Sequence, residues 1–325
     1  ILRCGGEERE VRHGVVILAT GGVEYKPTEY LYGVDGRVLT QRELEERLAK
    51  GEFNAKSVVM IQCVGSRNEQ RPSCSRICCI QAVKNALKIK EVSPETDVFI
   101  LYKDIRTYGF YEAYYRRASE MGVLFMRYDD EHKPKVSVED GRLKVMAWEP
   151  VMKGWVPIEP DLLVLSVAVT PDPDAPRIAE MLGIPLTEDG FFLEAQMKLR
   201  PFEAPAEGVF ICGLAHSPKL IEESIAQACA AAAQAATLLS KGTLEVEELV
   251  AYVDENLCSG CRICESVCDY GAIRMVEEDG KLRARVVEAL CKGCGVCVSA
   301  CPAGAISIPR FTDKQILAQV QALLA

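Results

Sequence analysis

The chain has 325 residues, 49% of them hydrophobic and 26% charged, enough for two or three domains with cores of their own. A net charge of −9 argues against a nucleic-acid partner, and no apolar run reaches about 18 residues without a charge, so no membrane span is expected. Fifteen cysteines in so long a chain, many at metal-ligand spacing, argue against a secreted disulfide scaffold and for a reducing, cytoplasmic setting.

The sequence starts at Ile1 without a methionine or signal peptide and reads as the later part of something longer. Val15-Val16-Ile17-Leu18-Ala19-Thr20-Gly21-Gly22 predicts a buried parallel strand entering a glycine turn. This ending resembles the second flavin-contacting segment of two-dinucleotide-domain flavoproteins such as thioredoxin reductase, where glycine lets the backbone approach the cofactor. Many parallel strands end in Thr-Gly-Gly, however, and no G-x-G-x-x-G follows a strand anywhere in the chain. If FAD binds here, its main pyrophosphate turn lies upstream of residue 1. Thr40 to Lys50 predicts a short helix, with Thr40 and Glu43 as a capping box and Gly51 as its end.

Ser57 to Arg67 predicts a second buried strand and loop. Where a pyridine-nucleotide domain carries its glycine turn, this chain has Gln62-Cys63-Val64-Gly65-Ser66-Arg67, so a nucleotide lacks its usual cradle. Cys74-Ser-Arg-Ile-Cys78-Cys79 opens a helix to about Lys90. A strand (98–102), a helix (111–121) and a strand (123–127) follow, the alternation of a parallel sheet. Cys63, Cys74, Cys78 and Cys79 thus cluster between a strand end and a helix start. By spacing alone they fit a [4Fe–4S] cluster, a zinc site, a redox disulfide or buried thiols. Arg67, Arg76, Lys103 and Arg106 are cations near strand ends, read as structural or surface residues.

Pro134 to Pro157 has hairpin character, with Asp140-Gly141 as its turn. Asp161 to Val167 is a buried strand, and the loop 171–176 launches a helix from Arg177 to Leu182. Gly208-Val209-Phe210-Ile211-Cys212-Gly213 is a strand ending in glycine. A long helix from Lys219 to Lys241 follows, with Ser217 as N-cap and Pro218 in its first turn. In thioredoxin-reductase-like proteins such a unit closes the flavin site, its helix dipole favouring anionic reduced flavin. Those proteins carry Asp after the glycine and this chain has Leu214, which puts the ribityl contact in doubt. Cys212 and Cys229 read as buried thiols, Cys4 is unassigned, and His216 reads as a hydrogen-bonded structural histidine. Gly242-Thr243 is the expected linker to the last domain.

Cys258-Ser-Gly-Cys261-Arg-Ile-Cys264-Glu-Ser-Val-Cys268 and Cys291-Lys-Gly-Cys294-Gly-Val-Cys297-Val-Ser-Ala-Cys301-Pro302 write C-x2-C-x2-C-x3-C twice, 33 residues apart. This is the pattern of a ferredoxin module with two [4Fe–4S] clusters, in which the fourth cysteine of each run ligates the other cluster. One cluster is assigned to Cys258, Cys261, Cys264 and Cys301, the other to Cys291, Cys294, Cys297 and Cys268. A pair of zinc knuckles is the alternative; the third cysteine of each run and Pro302 argue against it. Gly260, Gly293 and Gly295 allow the backbone to approach the sulfides. The closing segment 313–324 predicts an amphipathic helix with Ile316, Val320 and Leu323 in one stripe, available to the module or to a partner.

The Ala-Thr-Gly-Gly strand, Cys63 with Cys74-x3-Cys78-Cys79, the run Lys103-Asp-Ile-Arg-Thr-Tyr-Gly109 and the double cysteine run occur in this order. Together they resemble the C-terminal part of the HdrA-like iron–sulfur flavoproteins, the A-type component of heterodisulfide reductase and its bacterial relatives, over essentially the whole chain. The resemblance implies a third [4Fe–4S] cluster on the four middle cysteines, close to FAD, and a lysine near flavin N5, here Lys84. A cation there stabilises anionic reduced flavin; by its residue type alone Lys84 is a solvated helix residue. The expected flavin contacts are Thr20, Gly21, Gly22, Gly213, Pro218 and Lys219.

The expected fold is α/β. A thioredoxin-reductase-like but incomplete FAD domain (1–54 and 158–242) is interrupted by a degenerate Rossmann-like insert (55–157), and an α+β ferredoxin domain (243–325) follows. The function implied is electron transfer in one subunit of an oxidoreductase, with flavin-based bifurcation. Its implied partners are the other subunits of such a complex, a hydrogenase or dehydrogenase as electron donor, ferredoxin, and a second copy of the chain. The alternatives are a component of a quinone-interacting membrane-associated complex without bifurcation, and an electron-wiring scaffold without its own flavin. An NAD(P)H-dependent disulfide reductase is disfavoured by the missing glycine turn and by the lack of C-x-x-C in the middle domain.

Overall fold

The computed structural model describes residues 2–4, 7–241, 249–278 and 280–324; the expected linker at Gly242-Thr243 lies outside them. The chain opens with β1 (Leu2–Cys4) and β2 (Glu7–Arg9), an antiparallel pair. β3 (Val16–Leu18), β4 (Gly22–Glu24) and β5 (Val38–Thr40) follow, then α1 (Gln41–Lys50). The capping box of α1 is complete. Glu43 N–H donates to Thr40 Oγ1 and Thr40 N–H to Glu43 Oε2, and left-handed Gly51 ends the helix.

β6 (Ser57–Val64), α2 (Cys78–Val92), β7 (Asp97–Tyr102), α3 (Glu112–Glu120) and β8 (Leu124–Arg127) build a parallel sheet with order β5-β12-β6-β7-β8, where β12 is Leu162–Val167. β6 and β12 are almost wholly buried because both faces are covered. On one face Val58, Met60, Val98, Ile100 and Val164 pack on Leu44, Ala82, Val83, Ala86 and Ile89 of the helices. On the other, Val59, Ile61, Leu163 and Leu165 meet Leu143, Val145 and Ile158 of a three-stranded meander. That meander is β9 (Lys135–Glu139), β10 (Arg142–Glu149) and β11 (Gly154–Ile158), so the expected hairpin gains a third strand.

β12 corrects the expected division at residue 158. That division puts the strand in the returning segment, yet it hydrogen-bonds between β5 and β6, and β5 lies before residue 55. A continuous apolar strand takes whichever sheet offers two partners, and no local signal names that sheet. The link to the remaining segment is β13 (Val169–Pro171), antiparallel to β4. α4 (Ala175–Leu182), β14 (Val209–Ile211) and α5 (Ile221–Lys241) complete that segment, with β14 parallel to β3. Its core joins Leu18, Ala179, Ile184, Phe192, Val209 and Ile211. Ala231 and Ala235 of α5 cover Phe210 and Cys212. Cys212 is buried as expected. Cys229 is exposed, because two residues from Ala231 is more than half a turn off the packed face. No helix among the described residues is long and apolar enough to cross a membrane.

The last unit comprises β15 (Tyr252–Val253), α6 (Ile263–Ser266), β16 (Ile273–Glu278), β17 (Lys281–Val286), α7 (Val296–Ala300) and β18 (Ile306–Ser307). β15 pairs with β18, and β17 with β16, at positions related by the 33-residue repeat: Val253↔Ile306 and Val286↔Ile273. α8 (Asp313–Leu324) buries no residue, and Ile316, Val320 and Leu323 of its apolar stripe are all exposed.

Candidate metal centres and cofactor cleft

The two cysteine runs fold as a pseudo-twofold pair. Ala272 N–H donates to Cys268 Sγ and Ala305 N–H to Cys301 Sγ, both at 3.3 Å. Ala251 N–H donates to Cys291 Sγ at 3.4 Å and Ala284 N–H to Cys258 Sγ at 3.5 Å. The glycines obey the same symmetry. A Cβ on Gly260 would stand 2.6 Å from the carbonyl oxygen of Leu282, and one on Gly293 would overlap that of Leu249. Both have positive φ, so only glycine fits. Each loop is thus closed over by backbone from the other half.

Cys268, Cys291, Cys294 and Cys297 line one cavity, the four residues assigned to one cluster. Burial, with Cys291, Cys294 and Cys268 nearby, pushes the Cys297 thiol up to about 11. Cys264 is raised in the same way, by burial and by Cys258 and Cys261. Such thiols give up protons to an arriving metal, not to solvent. Cys301 stands in its half where Cys268 stands in the other. No three His, Cys, Asp or Glu side chains among the described residues are gathered around a single-ion site. The fit to a cluster rests on the shared cavity, the soft donor set and the N–H groups aimed at sulfur.

Cys63, the first of the middle cysteines, stands on a β-bulge. Leu165 pairs with Ile61 but Val167 with Val64, so two residues, Gln62 and Cys63, oppose Ser166 alone. Cys63 takes a left-handed φ of 61°, rare for a residue with a Cβ, and the Gln62 carbonyl accepts from Tyr128 Oη at 2.6 Å. Arg67 and Arg76 also have positive φ, and a Cβ on Gly65 would overlap the Tyr25 ring. Three residues that carry a Cβ, Cys63, Arg67 and Arg76, thus hold left-handed conformations in this segment. Cys63, Cys78 and Cys79 are buried and Cys74 half-buried.

The four thiols act on one another. Burial, then Cys79, pushes Cys63 up to about 11, with Cys74 adding to the rise. Cys78 is raised by its hydrogen bond to Cys79 and by burial, and Cys79 falls to about 7, held first by Cys78, then by the Arg106 backbone and the Arg106 and Arg67 cations. Arg67 pairs with Asp104 at 2.7 Å, while the buried Lys103 binds the Arg67 carbonyl at 3.1 Å and Asp130 at 2.5 Å. Arg67 and Arg106 thus act on the cysteines, which their sequence positions do not reveal. Sequence reasoning names Arg67 only as a structural or surface cation and gives Gln62 no role; Gln62 directly precedes Cys63, and Arg67 follows it by four residues.

A cleft of ≈ 550 Å³ adjoins this site. Gly22 and Leu214 line it from one side, Arg42, Glu45 and Glu46 from α1, and Ile77 and Gln81 from the start of α2. Among the expected flavin contacts, Gly21 and Gly213 have positive φ and open space where a side chain would stand. Gly22 is glycine for another reason: a Cβ there would lie 3.0 Å from the Thr170 carbonyl of β13. Thr20 is exposed and Pro218 buried.

Lys219 is 5% exposed and turns back on its own loop, donating to Gly213 O, Ser217 O and Ser217 Oγ at 2.8, 2.9 and 3.1 Å. Ser217 is therefore not an N-cap. The helix begins at Ile221, and Leu220 N–H donates to Glu223 Oε2 at 2.8 Å. Burial, with Arg76 close by, pulls Lys219 down to about 8. His216 is structural as expected. Gly213 N–H donates to Gln227 Oε1, Gln227 Nε2 to His216 Nδ1, and His216 Nε2 to Glu194, each at 2.9 Å. Lys84 does not line the Gly22 cleft. It is half-exposed and paired with Glu45 at 2.7 Å, in a groove beside Lys88 and Tyr114.

The family described as a 4Fe-4S dicluster domain matches residues 251–308. The A-type iron–sulfur subunit of CoB–CoM heterodisulfide reductase from Methanocaldococcus jannaschii is 41% identical over 98% of this chain and 51% of its own length. The second A-type iron–sulfur subunit of the same reductase in Methanopyrus kandleri is 43% identical over 85% of this chain and 44% of its own. Among solved structures, T. acidophilum thioredoxin reductase is 17% identical, with a TM-score of 0.45 over 70% of this chain and 66% of that one. The chain spans about half the length of the curated relatives it matches, and it belongs to the HdrA-like family of heterodisulfide reductase iron–sulfur proteins.

Proposed function

We propose that this chain is the electron-transferring part of an iron–sulfur flavoprotein oxidoreductase and holds three [4Fe–4S] clusters, two in residues 251–308 and one on Cys63, Cys74, Cys78 and Cys79. The observation that carries the third is that Cys63, Cys78 and Cys79 are buried and act on one another together with Cys74, where a nucleotide-binding domain keeps its glycine turn. When bound, FAD supplies exchange between two-electron and one-electron chemistry. Gly21 and Gly213 would admit it, and Ile77 and Gln81 connect its cleft to the cysteine helix. Lys84 would reach that cleft only by leaving Glu45, which lines it.

The finer reading is bifurcation, with electrons parting between the middle cluster and the ferredoxin clusters. The relatives are named as single subunits of heterodisulfide reductases, which supports partner subunits here, and a homodimer is proposed with them. The double substitution Cys78→Ser, Cys79→Ser in the purified protein tests the site. Iron should fall by about four atoms per chain with the dicluster EPR signals retained. Unchanged iron would contradict it.

A further inference from the structure

Gln62 is fully buried, and neither its side-chain Nε2 nor its Oε1 has a hydrogen-bond partner. Among the described residues no other side chain leaves two polar atoms buried and unpaired. A buried amide without partners costs about 1–3 kcal/mol for each lost bond, so its retention needs a reason. The neighbours that share its side of the sheet are already engaged. Ser166, opposite the bulge, accepts from Gln41 Nε2 at 3.1 Å, and Asn85 Nδ2 donates to Gln41 Oε1 at 2.9 Å.

Position narrows the choice of acceptor. Gln62 alternates with Val58 and Met60, whose face packs on Ala82, Val83 and Ala86 of α2. In a strand followed by its own parallel-crossing helix, the strand's C-terminal end lies beneath the helix N-terminus. Here that end carries Gln62 and Cys63, and that N-terminus carries Cys78 and Cys79. The bulge breaks the alternation after Gln62, since Val64 joins Val59 and Ile61 on the opposite face. An anionic cluster held by four thiolates presents sulfur acceptors that a neutral amide N–H can meet.

We propose that the Gln62 side-chain amide donates a hydrogen bond to sulfur of the cluster on Cys63, Cys74, Cys78 and Cys79, and so raises that cluster's reduction potential. This rests on the four-cysteine reading above. A donor to sulfur stabilises the more negative, reduced state.

The test is an EPR-monitored redox titration of the full-length, cluster-loaded protein, unsubstituted and Gln62→Met, with iron counted in both. Removing the donor should lower the reduced-to-oxidised ratio of the middle cluster about tenfold at a fixed potential, with iron unchanged. For a one-electron couple that is a shift of about 59 mV to more negative potential. Equal iron with an unmoved potential overturns the role of Gln62 and leaves the cluster standing. An iron content near eight atoms per chain in the unsubstituted protein overturns both. Should Gln62→Met not accumulate as folded protein, unsubstituted protein labelled with [15N]glutamine decides. A 15N coupling in the pulsed EPR spectrum of the reduced middle cluster supports the bond, and its absence overturns it.

Discussion

Lys292 Nζ lies 2.6 Å from Glu207 Oε1 and joins the second cysteine run to the unit built on β3 and β14. Leu290 packs on that unit's core, and Arg200 holds Glu207 from the other side at 3.2 Å. The run that carries Cys291, Cys294 and Cys297 is therefore the one tethered to the β3–β14 unit. The side chains are 18% and 27% exposed, so the pair is worth more than a solvent-facing one. Lys292→Ala should leave iron content intact, weaken docking by about 1–2 kcal/mol and slow electron exchange between the two units about fivefold to thirtyfold. Freeze-quench EPR of the dicluster signals measures this.

The pseudo-twofold glycines give a paired prediction. Gly260→Ala and Gly293→Ala meet carbonyl oxygens of the opposite half, and each should cost about 2–4 kcal/mol and reduce the iron retained by the module. Gly271 and Gly304 share the positive φ but face open space, so alanine there should cost only about 1 kcal/mol and keep the iron. Thermal unfolding alongside iron assay separates the two pairs.

Lys219 gives a pH prediction. Its folded pKa, about 8, lies below the ordinary value of 10.5, so between these limits the unfolded chain binds more protons than the folded one. Stability at this site should therefore rise with pH from about 8 to 10.5, by up to about 3 kcal/mol. Lys219→Met should flatten that rise while costing about 1–3 kcal/mol at neutral pH, because the Gly213 and Ser217 carbonyls lose their donor. Urea titrations of the two proteins across this window measure it.

Lys84 is exposed enough for its pair with Glu45 to matter little to stability. Lys84→Ala should change unfolding free energy by less than about 1 kcal/mol. If the lysine serves the flavin, the same substitution moves the flavin potentials with iron unchanged; an unmoved potential in a spectroelectrochemical titration removes it from the mechanism.

Most of the frame is legible in the sequence, because apolar runs such as Ser57–Val64 and caps such as Thr40–Glu43 carry their own local signals. The double cysteine run is legible to its glycines. The rest depends on distant partners. β12 joins the middle sheet only because β5 and β6 flank it. The bulge at Cys63 exists only against Ser166 and Val167, so neither the strained thiol nor the orphaned Gln62 can be read locally. Ser217 has the residue type of an N-cap, but the helix begins only at Ile221 and the Ser217 hydroxyl accepts from Lys219 instead.

Iron counted against protein in the anaerobically purified chain, with EPR of the reduced sample, tests the central claim most directly. Three tetranuclear clusters predict about twelve iron atoms per chain and a third signal distinct from the dicluster pair. About eight iron atoms, with only the dicluster signals, would contradict the reading of Cys63, Cys74, Cys78 and Cys79 as a cluster site.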